Sequence, residues 1–209
     1  MKTYDARYAA SDDVLLRESN VLTDFTFPWS DADPPRTAFR AVWDEDRFRF
    51  RFDVVDHDIV LADGETPMEK VVGSDRVEIF FSTGRGLSPY YGLEMDPRGE
   101  ILAYEARYHR QFNWDWECDG LVVESERGES GYAVWGQIPL LTFQRLNCLH
   151  PSDAGWYLIA GLYRAQFSRS PQDGSTIEDW MSWVTPDVAT PDFHVPSSFG
   201  IIRLRTVGQ

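Results

Sequence analysis

The sequence predicts an all-β protein: an antiparallel β-sandwich of two sheets, jelly-roll-like, with little helix. Three observations predict it. Residues 47–53 read Arg-Phe-Arg-Phe-Arg-Phe-Asp, the two-residue alternation of a strand with one buried and one solvent-facing side. Further short apolar segments recur along the chain with turn residues between them, the spacing of a sandwich. Aromatic residues make up 14% of the chain, with 8 Trp, 9 Tyr and 13 Phe, and such residues favour strands.

The elements follow in order. Residues 1–36 read as an irregular polar entry segment, extended around residues 25–28 and around Pro34 and Pro35. Strands at 37–42 and 47–54 are joined by the turn residues Asp44, Glu45 and Asp46. An acidic loop at 56–74 leads into a strand at 76–81. There Val77, Ile79 and Phe81 share one face, and Arg76, Glu78 and Phe80 share the other. A hairpin pairs 90–95 with 101–108 around Asp96, Pro97, Arg98 and Gly99. A second pairs 121–125 with 132–138 around Gly128. Residues 140–146 are the one short helix expected. Residues 156–166 form a long strand with a small-residue kink at Gly161, and 200–204 form the last strand. No internal repeat or low-complexity linker divides the chain, so residues 1–209 read as one domain.

The alternation also sets a question. Phe48, Phe50, Phe52 and Val54 enter a core, which stands Arg47, Arg49 and Arg51 in a row on the opposite face. Such a row faces carboxylates on neighbouring strands, an ordinary way to stabilise a sheet, or it faces a ligand rich in hydroxyls or negative charge.

Charge narrows the partners. With 20 Lys and Arg against 34 Asp and Glu, the formal net charge is -14, which argues against nucleic acid and against an anionic membrane. Lys2 and Lys70 are the only lysines, so the cations are almost all planar guanidinium forks that match carboxylates and stack on rings. The many rings suit sugar recognition, since each offers a flat apolar face. Cys118 and Cys148 are too few for a disulfide framework or a zinc site; they read as separate thiols, with one disulfide between them as the alternative. No segment reaches the length of a membrane span, and the start lacks the apolar core of a signal peptide. As written the sequence reads as soluble and cytoplasmic, or as extracellular or periplasmic if a leader was removed.

Several segments, in order, resemble the family 9 carbohydrate-binding modules and their wider relatives. They are Arg-Phe-Arg-Phe-Arg-Phe-Asp-Val at 47–54 with Asp56, Asp-Arg-Val-Glu-Ile-Phe-Phe at 75–81, and Tyr-Gly-Leu-Glu-Met-Asp-Pro at 91–97 with Gly99. Ile-Pro-Leu at 138–140, Trp156 and Arg164 follow, and then Trp183, Pro186, Phe193, His194, Pro196, Phe199 and Gly200 near the end. The resemblance implies a sandwich fold and non-catalytic binding of a saccharide in the setting of polysaccharide breakdown. It implies two tryptophans that clamp a sugar, one before the strand at 76–81 and one before the last strand. Trp183 matches the second, with Trp180 as the fallback, and no aromatic residue occupies 69–74 to match the first. Trp114 and Trp116 are candidate substitutes. Glu78 matches the strand carboxylate that bonds sugar hydroxyls, while the family's arginine on the next strand has no counterpart near 92–94. The expected ligand-binding set is therefore Glu78, Trp183, Arg49, Arg51 and Trp114.

Two other readings stand beside this one. A glycan-active enzyme of the glycosyl hydrolase type needs two convergent carboxylates across a cleft, and a protein-interaction module with a degenerate sugar site would carry neither groove nor exposed ring. The histidines, His57, His109, His150 and His194, show no metal-ligand spacing. Asp56, Asp58 and Asp63 cluster in one loop and are candidate calcium ligands, as the resemblance also implies, although calcium needs six to eight oxygens.

Overall fold

The computed structural model describes residues 1–9, 17–153 and 155–206. Thirteen strands carry the described chain: β1 (Thr3–Tyr8), β2 (Thr37–Trp43), β3 (Arg47–Val55), β4 (Arg76–Ser82), β5 (Tyr90–Met95), β6 (Ile101–Arg107), β7 (Gln111–Asn113), β8 (Val122–Gly128), β9 (Gly131–Pro139), β10 (Leu149–Ser152), β11 (Gly155–Arg169), β12 (Thr176–Ser182) and β13 (Gly200–Arg205). Two short helices, α1 (Pro67–Val72) and α2 (Leu140–Arg145), lie between them.

Eleven strands form one hydrogen-bonded path, β7-β6-β5-β4-β11-β13-β1-β2-β3-β9-β8, and β10 and β12 pair with β11 beside it. The all-β expectation holds, but two separate antiparallel sheets do not appear. The reason is β1. It pairs in parallel with β13 on one side and with β2 on the other, joining what would be two layers into one curled sheet. The curl brings its two arms face to face: Phe48, Phe50 and Phe52 of β3 share a core cluster with Val77, Ile79 and Phe81 of β4.

The segment expected to be irregular over 1–36 therefore contains a central strand, with Tyr4 and Ala6 buried; its residues 10–16 lie outside the described residues. The acidic loop also contains a helix. The Thr66 hydroxyl oxygen accepts a hydrogen bond from the Glu69 N–H, the Glu69 carboxylate accepts one from the Thr66 N–H, and Pro67 opens the first turn. This is a capping box with proline where its missing N–H costs nothing.

Arg49 and Arg51 find carboxylates, and Arg47 donates to the Gln137 amide oxygen at 2.8 Å. Arg49 donates to Asp44 at 2.7 Å and Arg51 to Asp53 at 2.7 Å, with Arg51 also 5.0 Å from the Trp135 ring centre. Both acids lie in the adjoining turn or on β3 itself, not on a neighbouring strand. Cys118 and Cys148 are free thiols.

Phe50 is fully buried, and its ring fills the space over Gly136, where an added Cβ would lie 2.8 Å from it. Phe50→Ala is expected to lower stability by about 3–5 kcal/mol. Arg47→Ala, on the exposed side, should cost about 0–1 kcal/mol. Urea titrations of the two variants check the facing of β3, which a larger loss for Arg47→Ala would invert.

Candidate functional site

The outer face of β4 carries Arg76, Glu78 and Phe80 at two-residue spacing. Although this face carries two charged residues, every residue of β4 is buried. A second layer covers it, built from residues 108–114, Trp29, Trp180 and the segment 191–199, which enclose a cavity of about 490 Å³.

Register assembles the floor. Glu78 on β4 lies directly opposite Glu94 on β5, which lies opposite Leu102 on β6. One step along, Phe80 lies opposite Gly92 on one side and Gly161 on the other. These glycines have a steric reason: an added Cβ at Gly92 would come within 2.3 Å of the Tyr104 ring, and one at Gly161 within 1.9 Å of the Tyr163 hydroxyl. Tyr104 and Tyr163 thus lie flat over the glycines and pack edge-on against Phe80.

Charge is concentrated on this floor. Arg76 Nε stands 3.0 Å from Glu78 Oε1 and 2.7 Å from Glu94 Oε2. All three residues are buried, yet none of these three atoms has a well-directed hydrogen bond. Tyr104 donates to the other oxygen of Glu94 at 3.1 Å. Burial, and then the neighbouring Glu94, push the Glu78 carboxyl up to about 8 against the pull of Arg76. These three atoms meet one another as a buried ion-pair triad, and the three residues line a cavity able to receive a ligand.

The walls are rings and locked loops. Trp114 is exposed at the mouth and stacks on Phe112, with centroids 4.5 Å apart. Trp180 places its ring 5.3 Å from the Arg76 guanidinium. Asp192 ties two loops together by accepting from Arg110 at 2.8 Å and meeting His109 Nε2 at 2.6 Å. Burial would raise the Asp192 carboxyl, but hydrogen bonds from His109 and the His194 N–H, with Arg110, hold it below its usual range. His194 shares a 2.7 Å hydrogen bond between Nδ1 and the Tyr90 hydroxyl. Burial first, and then Arg110, lower its pKa to about 3, so the ring stays neutral.

The structure brings together two of the five expected ligand residues, Glu78 and Trp114, and separates the other three from them. Trp183 is a correction: it is 1% exposed and sits in the main core against Gly200, where an added Cβ would lie 2.7 Å from its ring. Its fallback, Trp180, lies in the cavity. Arg49 and Arg51 are the second correction, since they stand on β3 with Asp44 and Asp53 and do not line the cavity. Trp116 packs on Tyr91 beside the main core.

The calcium expectation does not fit. Asp56 Oδ2 faces Arg164 and Gln166, Asp58 Oδ2 accepts from the Arg169 N–H at 2.9 Å, and Asp63 is exposed. Among the described residues no three His, Cys, Asp or Glu side chains are grouped to hold a metal.

Sequence reasoning placed Arg76 on the face of Glu78 without assigning it to the site, and it missed Glu94, Trp29, Phe112, Arg110 and Asp192. Glu94 left a signal, because it alternates out of phase with the core residues Leu93 and Met95. Phe112 comes on the three-residue strand β7, too short to show a period, and Trp29, Arg110 and Asp192 reach the site through loops, which carry none.

A family model described as "Carbohydrate family 9 binding domain-like" matches residues 11–207. No curated protein matches the sequence. Among solved structures, a Bacteroides uniformis protein described as a candidate carbohydrate-binding protein superposes with a TM-score of 0.74 at 16% identity, covering 98% of this chain and 99% of its own. A family 9 carbohydrate-binding module of Caldicellulosiruptor kristjanssonii in complex with glucose gives 0.63 at 16% identity, over 98% of this chain and 96% of its own. The module from that organism in complex with cellotriose gives 0.61 at 15%, over 98% and 94%. At this identity the solved structures share the fold, and the sequence match over nearly the whole length decides the family: the chain belongs to the carbohydrate family 9 binding domain-like family.

Proposed function

We propose that the protein binds a saccharide without catalysis, in the cavity over Arg76, Glu78 and Glu94. The observation that carries this reading is the buried ion-pair triad of Arg76, Glu78 and Glu94 at the floor of a cavity walled by aromatic rings. Sugar hydroxyls both donate and accept. Arg76 supplies donors, Glu94 supplies acceptors, and Glu78, holding its proton near neutral pH, supplies one more donor. Trp114 and Trp180 offer flat faces to the apolar side of a pyranose. The modules of Caldicellulosiruptor kristjanssonii, which hold glucose and cellotriose on the same fold, support the choice of ligand class. Polysaccharide breakdown is the setting we assign to this binding, from the resemblance of the chain to modules of such systems.

The paired carboxylates do not favour hydrolysis. Glu78 and Glu94 are ladder neighbours on adjacent strands and share one guanidinium, so both approach a ligand from the same side. Glycoside hydrolysis places its two carboxylates on either flank of the scissile bond.

Two tests follow from this geometry. Trp114→Ala should weaken saccharide binding by roughly tenfold, on the scale of about 1–3 kcal/mol for a stacked ring, and leave the melting curve in place. Trp183→Ala should instead lower the melting temperature, with a loss of about 3–5 kcal/mol. Titration calorimetry against a glycan panel, beside thermal melts, reads both. Unchanged affinity in Trp114→Ala would remove that ring from the site.

A pH signature belongs to Glu78. Between the ordinary carboxyl value of 4.5 and about 8, the unfolded chain has released this proton and the folded chain keeps it. Stability from this group is thus full below 4.5 and lost as pH rises through 8. Asp75, raised to about 7 by burial, titrates in the same window. The difference between wild type and Glu78→Gln isolates Glu78: the variant's stability should fall less steeply from pH 5 to pH 8. Parallel curves would contradict the raised value.

A further inference from the structure

Besides its charged floor and its aromatic walls, the cavity has an aliphatic wall: Met68 and Val72, continued by Leu102 at the floor's edge beside Glu94. Met68 and Val72 stand four residues apart on α1, hence on one helix face, and they are 36% and 45% exposed. The helix is held in place for this. Its capping box fixes the first turn, Val71 is buried in the cluster that contains Phe80 and Tyr104, and Arg76 Nη1 donates to the Val72 carbonyl at 3.0 Å. The same guanidinium therefore anchors the aliphatic wall and meets both floor carboxylates.

Thioether and branched aliphatic side chains offer a hydroxyl no partner, and they lack the flat face on which a pyranose stacks. They favour an alkyl or aryl group, whose burial is rewarded in proportion to apolar area. At about 490 Å³ the cavity also falls in the range of sites for drug-sized ligands, about 300–1,000 Å³. Resting on the saccharide reading above, we propose that the ligand is a glycoside with an apolar substituent. Its sugar lies over Arg76, Glu78 and Glu94, and its alkyl or aryl group lies against Met68, Val72 and Leu102.

The test is titration calorimetry on the intact protein with matched pairs of methyl and octyl glycosides of glucose, galactose and xylose, the octyl compounds kept below micelle formation. At least one octyl glycoside should bind about tenfold or more tightly than its methyl partner, a difference of about 1.4 kcal/mol. In the double variant Met68→Ser/Val72→Ser, shown folded by its melting curve, that ratio should fall toward one. Equal affinities within every pair in wild type would overturn the proposal and leave saccharide binding standing. Absence of binding by all six compounds would overturn both. A ratio that persists in the double variant would also overturn the proposal, because the apolar group would then lie elsewhere.

Discussion

Arg164 is the contact on which the arrangement of the sheet depends. Its side chain is fully buried in the middle of β11, and its donors reach the other arm of the curl: Thr37 of β2 at 2.9 Å, the Val55 carbonyl at 3.1 Å and Asp56 at 3.2 Å. A guanidinium at this depth needs partners for its donors and an opposing charge; both Nη atoms of Arg164 have them, and Nε does not. The sheet can close over its core while Thr37, Val55 and Asp56 converge on it, so the closure has a fixed geometry as well as an apolar driving force. Because residue 164 points inward, residues 163 and 165 must point outward. That phase sets Tyr163 beside Glu78 and the small Ala165 beside Arg76 and Trp180. One buried charge thus fixes which side chains of β11 lie on the outer face, beside Glu78 and Arg76.

The outer face solves a different problem. It places three ionisable side chains in one ladder region and then covers them with rings. Gly92 and Gly161 make this possible, since without Cβ atoms they let Tyr104 and Tyr163 lie against the sheet on either side of Phe80. Tyr163 then carries the wall: it stacks on Phe193 with centroids 4.2 Å apart and meets Ser198 Oγ at 2.7 Å, while Ser198 donates to the carbonyls of Phe193 and Val195. The segment 193–198 is therefore held from beneath by β11 and at its start by the bond between His194 and Tyr90. A neutral His194 suits this position, because Arg110 and Arg76 both oppose a proton there.

Local period was legible in the sequence and long-range partnership was not. The alternation in residues 47–53 and 76–81 assigned the buried and outward faces of β3 and β4 correctly. It could not tell that one outward face, carrying Arg49 and Arg51, would settle on nearby carboxylates while the other would be roofed over. The roof comes from residues 29, 112–114, 180 and 192–194, remote in sequence from Glu78. The strand β1 escaped for the same reason, since its partners in β13 lie almost the whole chain away. Trp180 and Trp183 show how narrow the margin is. Both sit in one aromatic-rich stretch, but Trp180 lies within β12 with its ring over Arg76, whereas the Trp183 N–H bonds to the Leu162 carbonyl beyond the strand's end and its ring turns into the core. The resemblance located the segment and left the choice of ring to packing. The helix α1 is the opposite case: Thr66, Pro67 and Glu69 spell its capping box locally, yet the acidic character of the segment makes it read as a loop.

Electrostatics connects the floor to the kind of ligand it can accept. The chain carries a formal net charge of -14, which disfavours anions at long range. Inside the cavity the balance is different. One guanidinium faces two carboxyl groups, and burial leaves Glu78 holding its proton, so the floor presents close to no net charge. Arg110 and Asp192 on the rim likewise oppose each other at 2.8 Å. A charged ligand would enter such a site without a counter-charge to compensate its desolvation. A neutral, hydroxyl-bearing ligand needs none, because it exchanges hydrogen bonds with water for hydrogen bonds with groups already desolvated and held in place. The cost of burying Arg76, Glu78 and Glu94 was met when the protein folded, and that preorganisation is what lets weakly polar chemistry select a ligand here.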